Sequence, residues 1–142
     1  MKKAVVLIGH GGVPKDFPPQ KIGLDAEIRA WPRTPQNDPF CFGLRAIAAQ
    51  LEPKLPGIKL VTAYNEFCAP SIEQAVDALV LEGFEQIQLL TTMFTPGGVH
   101  SELEIPEIVK TLQTRHPSVQ ISYPWPFDLD HVANFLSGHL TC

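Results

Sequence analysis

The amino-acid sequence predicts an α/β fold in which a four-stranded parallel sheet carries helices on both faces. Four short apolar runs predict the strands, and a helix-like segment follows each of them. This alternation is typical of parallel sheets, because the crossover helices bury both faces of the sheet. The length of 142 residues predicts a single domain with one core, residues 1–142. The apolar runs are AVVLIG at 4–9, IKLVTAY at 58–64, QIQLLTTMF at 86–94 and VQISYPW at 119–125.

Four helices are predicted from apolar residues at helical spacing and from the residues that begin and end helices. The first covers residues 42–55 and ends at Pro56-Gly57, and the second follows Ser71 and stops at Gly83. The third covers residues 102–115 and the fourth 128–140, with Asp128 or Asp130 as its N-cap. The apolar stripe consists of Leu44, Ile47, Ala48 and Leu51 in the first helix and of Ile72, Ala75, Val76 and Leu79 in the second.

Residues 13–39, the proline-rich segment, interrupt this regular alternation. Six prolines in this segment prevent a long helix and a central strand. A connection of this length inside a compact domain is usually a functional lid, an interface arm or a disordered excursion. Its middle, IGLDAEIRAW at 22–31, is expected to form one or two helical turns.

Composition and charge limit the kinds of molecule that the protein is expected to bind and the cell compartment in which it is expected to work. A net charge of −4 and the lack of a basic cluster argue against nucleic acid. No apolar run approaches the roughly 20 residues that cross a bilayer, and the N-terminus does not resemble a signal peptide. A cytoplasmic protein without a membrane partner is therefore expected, whose ligand is a small molecule or a second copy of the chain.

The cysteines are odd in number and widely spaced, which predicts reduced thiols rather than a disulfide framework or zinc site. They are Cys41, Cys68 and Cys142.

Polar residues follow three of the predicted strands. His10 lies among glycines after the first strand, Asn65-Glu66 ends the second, and Gly97-Gly98-Val99-His100 follows the third. In a right-handed parallel α/β sheet the carboxyl ends of the strands share one edge, where ligands bind. We therefore expect these residues to converge on one edge.

Imidazole and carboxylate groups at that edge would suit a divalent first-row metal ion, and imidazole also accepts protons near neutral pH. His100 and Glu104 lie one helical turn apart, and the glycines leave room for a bulky ligand. The residues alone leave open the alternative that the histidines, Glu66 and Glu104 only cap helices or form hydrogen bonds.

Other residues and motifs were weighed against this site. Gly9 stands where a histidine phosphatase requires arginine, and no G-x-S-x-G, P-loop or G-x-G-x-x-G motif is present. His116, His131 and His139 are expected at the surface. Trp31, Trp125 and Phe127 are expected in the core, with the flanking of a flat ligand as the alternative.

Three blocks together resemble a known family. LIGHGG, NEFCAPSIEQAVDAL and FTPGGVHSELEIPEIV are similar, in order and spacing, to the short-form sirohydrochlorin chelatases of the CbiX type, which are class II chelatases. The resemblance covers residues 1–12 and about 42–140, and GGVHSELEIP is its most specific part.

The resemblance implies a chelatase-like, flavodoxin-like three-layer fold, a homodimer, and ATP-independent insertion of Co²⁺, Fe²⁺ or a similar ion such as Ni²⁺ into sirohydrochlorin. The pathways implied are those of cobalamin and siroheme. The metal is then a substrate, and no permanently bound cofactor is expected. By the same resemblance, His10 and His100 are metal-binding and catalytic, Glu104 is catalytic, and the substrate-binding residues are Gly11, Gly12, Glu66, Gly97, Gly98 and Val99.

The chain departs from the family pattern at two places. Many relatives have serine at the position of Gly12, and the proline-rich segment is longer than the usual connection. Because sirohydrochlorin is rich in carboxylates, cations of this segment are candidates for binding it: Lys15, Lys21, Arg29 and Arg33. The alternative functions are a non-catalytic metal or tetrapyrrole carrier or sensor, and an interaction domain whose proline-rich segment swaps onto a partner.

Overall fold

The computed structural model describes residues 1–141, so the expected thiol of Cys142 lies outside the described residues. The four strands are all parallel and lie in the order β2-β1-β3-β4, which confirms the predicted sheet. The strands are β1 Lys3–Gly9, β2 Ile58–Tyr64, β3 Gln86–Thr91 and β4 Gln120–Ser122. The helices are α1 Asp25–Ala30, α2 Pro39–Leu51, α3 Ile72–Leu81, α4 Ile105–Arg115 and α5 Leu129–His139.

The strand β1 is the centre of the sheet, because it pairs along its length with β2 and along all but its last residue with β3. Its burial follows from this position: every residue from Ala4 to Gly9 is buried. The edge strand β4 has three residues rather than the predicted seven, since Pro124 and Pro126 remove the donors that a longer ladder needs. The strand β3 likewise ends at Thr91, three residues earlier than predicted.

Side chains of opposite parity on β1 build two cores, one on each face of the sheet. Val6 and Ile8 face α3 and α4, whose buried residues include the predicted stripe of α3. Leu7 faces α2, where it lies in a smaller cluster with Leu44. The larger core also contains Ala4, Ala63, Ile72, Ala75, Val76, Leu79, Phe84, Ile87, Leu89, Ile105, Leu112, Val119 and Ile121. Helices therefore cover both faces, as predicted.

Capping residues explain where the helices begin. Ser71 forms a capping box with Gln74 at the start of α3, and Asp128 caps α5. Asp38 accepts a hydrogen bond from the amide of Cys41, so α2 starts at Pro39, earlier than the predicted residue 42. It ends at Leu51 because the next three residues, Glu52–Lys54, form a 3-10 turn.

Two predictions about helix faces and starts were wrong. Ile47, expected in the apolar stripe of α2, is 54% exposed. Residues His100–Glu104 form a π-helical turn that leads into α4, so the α-helix starts at residue 105 rather than at 102. Turns of this wider type are frequently found at functional sites.

The proline-rich segment is ordered and packed against the domain. Phe17 and Ile28 are buried, and Trp31 packs edge-to-face on Phe17 with ring centroids 5.1 Å apart. Its middle forms the 3-10 turn Pro19–Lys21 and the helix α1, as the sequence predicted. Of the three alternatives for this segment, the disordered excursion is wrong.

The helix α5 differs from the others because none of its residues is buried among residues 1–141. It exposes large apolar side chains, namely Leu129, Phe135 and Leu136, and Leu140 follows its end. Within residues 1–141, no helix combines the length and apolar character required to cross a membrane.

Candidate metal centre

Three side chains meet at the carboxyl edge of the sheet, as the sequence predicted. His10 follows β1, Glu66 lies two residues beyond β2, and His100 opens the π-helical turn after β3. Each offers one ligand atom, and these atoms lie within 4.8 Å of one another. The imidazole rings of His10 and His100 lie edge-to-face with centroids 4.7 Å apart, and His10 Nε2 is 3.7 Å from Glu66 Oε2. Two imidazoles and a carboxylate form a donor set that suits a first-row divalent ion.

Hydrogen bonds select which nitrogen of each imidazole is available. Nδ1 of His10 lies 2.7 Å from the carbonyl oxygen of Gly11, and because a carbonyl only accepts, this Nδ1 carries the proton. Nδ1 of His100 lies 2.7 Å from Oε2 of Glu104, where the carboxylate accepts its proton. The lone pair of each neutral ring is therefore on Nε2, as in metal sites where the other ring nitrogen donates to a carbonyl or carboxylate.

Asn65 lies at this edge, as the sequence predicted, and supports the site through a contact that the sequence does not indicate. Its Nδ2 donates to Oε1 of Glu104 at 3.1 Å, so both oxygens of this carboxylate are occupied. Asn65 is buried, whereas the side chains of His10 and Glu66 are 42% and 41% exposed. A large ligand can therefore approach the exposed side chains of His10 and Glu66, while the buried Asn65 supports His100 through Glu104.

The turn before His100 depends on glycine and on Glu102. Gly97 has φ +96°, and its amide donates to Oε1 of Glu102 at 2.8 Å. Glu102 therefore closes the turn and does not point at the histidines. Ser101, which is buried, donates from Oγ to the carbonyl of Met93 and accepts at its own carbonyl from the hydroxyl of Tyr123.

The glycines after β1 differ in what surrounds them. A Cβ atom at Gly11, where φ is +92°, would lie 1.7 Å from the carbonyl oxygen of Glu66. A Cβ atom at Gly12 would meet nothing within 4 Å. Gly11 therefore allows the loops after β1 and β2 to approach each other, while Gly12 faces open space.

Two cavities share Thr92, and one of them is lined by His100. One has a volume of about 340 Å³ and is bounded by the loop that includes Gly98, Val99 and His100. The other, of about 330 Å³, is lined by α2 and is mainly apolar; its remaining residues are Phe40, Gly43, Leu44 and Ile47. Phe40 and Ile47 are half exposed, and Phe40 lies against Gly9, the residue before His10. This apolar surface of α2 was not predicted from the sequence.

Comparison with known proteins decides the family. The CbiX family model matches residues 41–136, which is more than half of the chain. The chain belongs to the CbiX family. The family predicted from the three sequence blocks is thereby confirmed.

Two curated relatives of this CbiX-family chain come from Priestia megaterium. One is a sirohydrochlorin cobaltochelatase, 28% identical over 76 residues, and the match covers 54% of this chain and 24% of the relative. The other is a sirohydrochlorin ferrochelatase, 29% identical over 67 residues, with 47% of this chain and 25% of the relative covered. The matches thus span about a quarter of each curated relative.

Solved structures share the fold. SirB from Bacillus subtilis with Fe³⁺ has a TM-score of 0.63 at 23% identity, and SirB from Bacillus subtilis subspecies spizizenii in complex with cobalt has 0.63 at 20%. Both matches cover 96% of this chain, but only 46% and 49% of SirB. A protein described as a cobalamin (vitamin B12) biosynthesis CbiX protein, from Marinobacter aquaeolei VT8, has a TM-score of 0.62 at 16% identity, with 97% of this chain and 91% of that chain covered. The predicted chelatase-like fold is confirmed.

The arginines of the proline-rich segment in this CbiX-family chain have structural contacts, which corrects their prediction as ligands for substrate carboxylates. Arg33 is buried, pairs with Asp38 at 3.2 Å and donates to the carbonyl of Phe67. Arg29 donates to the carbonyls of Asn65 and Cys68. These carbonyls need donors because Phe67 has φ +63°, which turns the chain out of the strand. Lys15 is exposed, and Lys21 pairs with Glu27 at 3.4 Å.

The other aromatic and histidine predictions had mixed outcomes. Trp125 stacks on Tyr123 and contacts Phe127 edge-to-face, but neither Trp125 nor Phe127 belongs to the buried cores. His131 and His139 are exposed, as predicted. His116 is not a free surface residue, because its Nε2 lies 2.7 Å from Oδ1 of Asp77 and its side chain is only 17% exposed.

Proposed function

We propose that this protein inserts a divalent metal ion, Co²⁺ or Fe²⁺ and by the same donor chemistry Ni²⁺, into sirohydrochlorin without ATP, in tetrapyrrole biosynthesis leading to cobalamin or siroheme. The observation that carries the proposal is the convergence of ligand atoms from His10, His100 and Glu66 at an open sheet edge. The names of the two curated relatives support sirohydrochlorin as substrate and cobalt or iron as the metal.

In the proposed reaction the metal ion is a substrate, held by His10 and His100 with Glu66 beside them. Neutral imidazole binds a divalent ion while remaining exchangeable, so it can release the ion to a better ligand. Once the ion enters the macrocycle, the two Nε2 lone pairs are free to accept the two pyrrole protons that the metal displaces. Glu104 then stabilises the imidazolium of His100 through the 2.7 Å contact at Nδ1.

The macrocycle is proposed to lie on the apolar surface next to the histidines. Phe40 and Ile47 on α2 and the exposed Val99 before His100 provide apolar area on both sides of Thr92. The glycines at this edge carry no side chains that would obstruct a flat ring, which is the role proposed for the substrate-binding residues Gly11, Gly12, Gly97 and Gly98. The proline-rich segment is proposed to act as a lid of this single domain.

The test is metallation followed by absorbance under anaerobic conditions, with sirohydrochlorin and each of Co²⁺, Fe²⁺ and Ni²⁺ against a no-enzyme control. We expect accelerated, multiple-turnover metallation that is lost in His10→Ala and in His100→Ala. His131→Ala is the matched control, since His131 is 81% exposed on α5. Wild-type rates in both site variants would refute the site, and binding without turnover would favour the carrier function instead.

We also propose that the protein is a homodimer in the cytoplasm. The chain matches slightly less than half of each SirB chain, so two copies would make up the length of one SirB molecule. The exposed apolar residues of α5 supply a surface for such an interface. The cytoplasm is proposed because the buried free thiols Cys41 and Cys68 suit a reducing compartment. Light scattering should give twice the monomer mass for the wild type and for Asn134→Asp, but the monomer mass for Phe135→Asp; cell fractionation tests the compartment.

A further inference from the structure

A pair of buried cysteine side chains lies behind the metal-binding edge and is not used by the proposed reaction. Cys41 in the first turn of α2 and Cys68 in the loop after β2 are 27 residues apart in sequence. Their sulfur atoms lie 3.9 Å apart, and the residues are 0% and 2% exposed. A disulfide bond is about 2.05 Å long, so bond formation requires an approach of about 2 Å.

The surroundings of the two thiols argue against a second metal site. Asp38, Cys41 and Cys68 place ligand atoms within 4.8 Å of one another, which is a possible donor set for an ion. However, the guanidinium of Arg33 lies 3.2 Å from Oδ2 of Asp38, and both side chains are about 95% buried. The carboxylate is already neutralised by this fixed positive charge, which would also repel an entering cation. Besides the hydrogen bond between Cys41 Sγ and the hydroxyl of Tyr64, 3.2 Å apart, the reaction left to the two sulfur atoms is with each other.

The loop that carries Cys68 also carries Glu66, and backbone hydrogen bonds make it a compact unit. The amide of Cys68 donates to the carbonyl of Glu66 at 2.7 Å, and the amide of Glu66 donates to the carbonyl of His10 at 2.9 Å. Arg29 bonds to the carbonyls at both ends of the Asn65–Cys68 turn. A displacement of Cys68 towards α2 therefore moves Glu66 and Asn65 with it.

We propose that Cys41 and Cys68 form a reversible dithiol–disulfide site whose closure shifts the Asn65–Cys68 turn and weakens metal binding at the edge of the sheet. The oxidant is a small disulfide. One cysteine sulfur attacks it and forms a mixed disulfide, releasing one small thiol; the second cysteine sulfur then displaces the other. The two cysteines lose two electrons and two protons in total, and the small disulfide is reduced to two thiols.

Access does not distinguish the two thiols, since each has sequence neighbours that are not buried: Phe40 and Phe42 beside Cys41, and Phe67 and Ala69 beside Cys68. Either sulfur atom can therefore make the first attack. We expect slow closure in the folded protein, because both sulfur atoms must be exposed by local opening of the turn before exchange begins.

The experiment uses the full chain with Cys142→Ser, so that only the two thiols of interest remain. The protein is incubated with oxidised glutathione in native buffer, alkylated in denaturant and analysed by mass spectrometry and peptide mapping. We expect loss of two alkylation sites, a peptide that joins residues 41 and 68, and full reversal by dithiothreitol. Two alkylatable thiols after native oxidation, or a cross-link that forms only in denaturant, would overturn the proposal.

The effect on the metal site is measured with Co²⁺ alone, by titration of the reduced and oxidised forms. We expect oxidation to lower the affinity for Co²⁺ by about tenfold or more, as displaced supporting groups of metal ligands usually do, and reduction to restore it. Cys41→Ser and Cys68→Ser treated in the same way should show no change on oxidation. An unchanged Co²⁺ affinity in cross-linked protein would overturn the link to the turn. Neither measurement uses sirohydrochlorin, so these outcomes are separate from the test of chelatase activity.

Discussion

Asn65 donates a hydrogen bond from Nδ2 to Oε1 of Glu104, 3.1 Å away, although the two residues are 39 positions apart in the sequence. The bond joins the end of β2 to the π-helical turn after β3. Since Oε2 of the same carboxylate accepts from His100, Asn65 positions a histidine that it does not touch. Asn65 is therefore a positioning residue of the proposed metal centre.

Replacement of Asn65 by alanine should weaken metal binding without unfolding the protein. We expect the affinity for Co²⁺ to fall by about tenfold to 100-fold, because Glu104 loses the contact that orients it towards His100. A visible-absorbance titration with Co²⁺ measures the affinity, and circular dichroism checks the fold. Asn134→Ala, on the exposed helix α5, is the control. Equal affinities in the two variants would show that Asn65 does not position the site.

Replacement by alanine should lower the free energy of unfolding at Gly11 but leave it almost unchanged at Gly12. At Gly11 the added Cβ would meet the carbonyl oxygen of Glu66 at 1.7 Å and the backbone has φ +92°, so we expect a loss of about 2 kcal/mol or more in the free energy of unfolding. At Gly12 the Cβ enters open space, and we expect a change within about 0.5 kcal/mol. Urea unfolding of both variants measures the difference, and similar losses would contradict the close approach of the two loops.

The ion pairs of Asp77 should make stability depend on pH in the acid range. Burial alone would raise the pKa of this carboxyl, but hydrogen bonds and charge from His116 and Arg115 outweigh it, and the pKa lies below its ordinary value. A carboxyl whose pKa is lower in the folded state stabilises the protein above its unfolded pKa of about 4, and this stabilisation disappears as the pH falls through the folded value.

Comparison of the wild type with Asp77→Asn measures this contribution. The difference in the free energy of unfolding should be largest near neutral pH and should shrink as the pH is lowered below about 4. Urea unfolding at several pH values gives the difference at each one. A difference that stays constant throughout the acid range would mean that Asp77 acts through its packing and not through its charge.

Changes to the apolar surface on α2 should weaken the binding of sirohydrochlorin but not the binding of the metal ion. We expect Phe40→Ala to raise KM for sirohydrochlorin by about tenfold, the effect of losing the burial of one aromatic side chain, while the affinity for Co²⁺ is unchanged. Leu81→Ala removes an apolar side chain on α3, outside the site, that is 89% exposed against 49% for Phe40, and should leave both quantities unaltered. A loss of Co²⁺ affinity in Phe40→Ala would instead place Phe40 among the supports of the metal centre.

The sheet and the convergence of the histidines were predictable because they follow from local patterns and one rule of connection. Apolar runs define the strands, and the caps Ser71 and Asp128 define where two helices begin; both signals span only a few residues. Because parallel strands end at a common edge, His10, Glu66 and His100 then come together. The resemblance added the chelatase-like fold, which the structural comparisons confirm.

The features that were missed depend on contacts between distant parts of the chain. Asn65 was expected at the edge of the sheet, but nothing in the sequence indicates its hydrogen bond to Glu104. The spacing of Cys41 and Cys68 likewise gives no sign that their sulfur atoms meet. Charge alone indicated Arg29 and Arg33 as ligands of substrate carboxylates, but the unpaired carbonyls of the Asn65–Cys68 turn take their donors instead. Such competition between partners is decided by tertiary structure.

The two histidines of the metal centre have unequal mechanical support. His10 directly follows β1, whose amides and carbonyls are held by a strand on each side, so its backbone should be among the last in the molecule to exchange hydrogen with solvent. The backbone of His100 belongs instead to the π-helical turn that follows Gly97 and Gly98, and not to the sheet. In the proposed transfer of an ion to an acceptor, the motion that releases the ion should therefore begin at His100, and the bond to His10 should be the last to break.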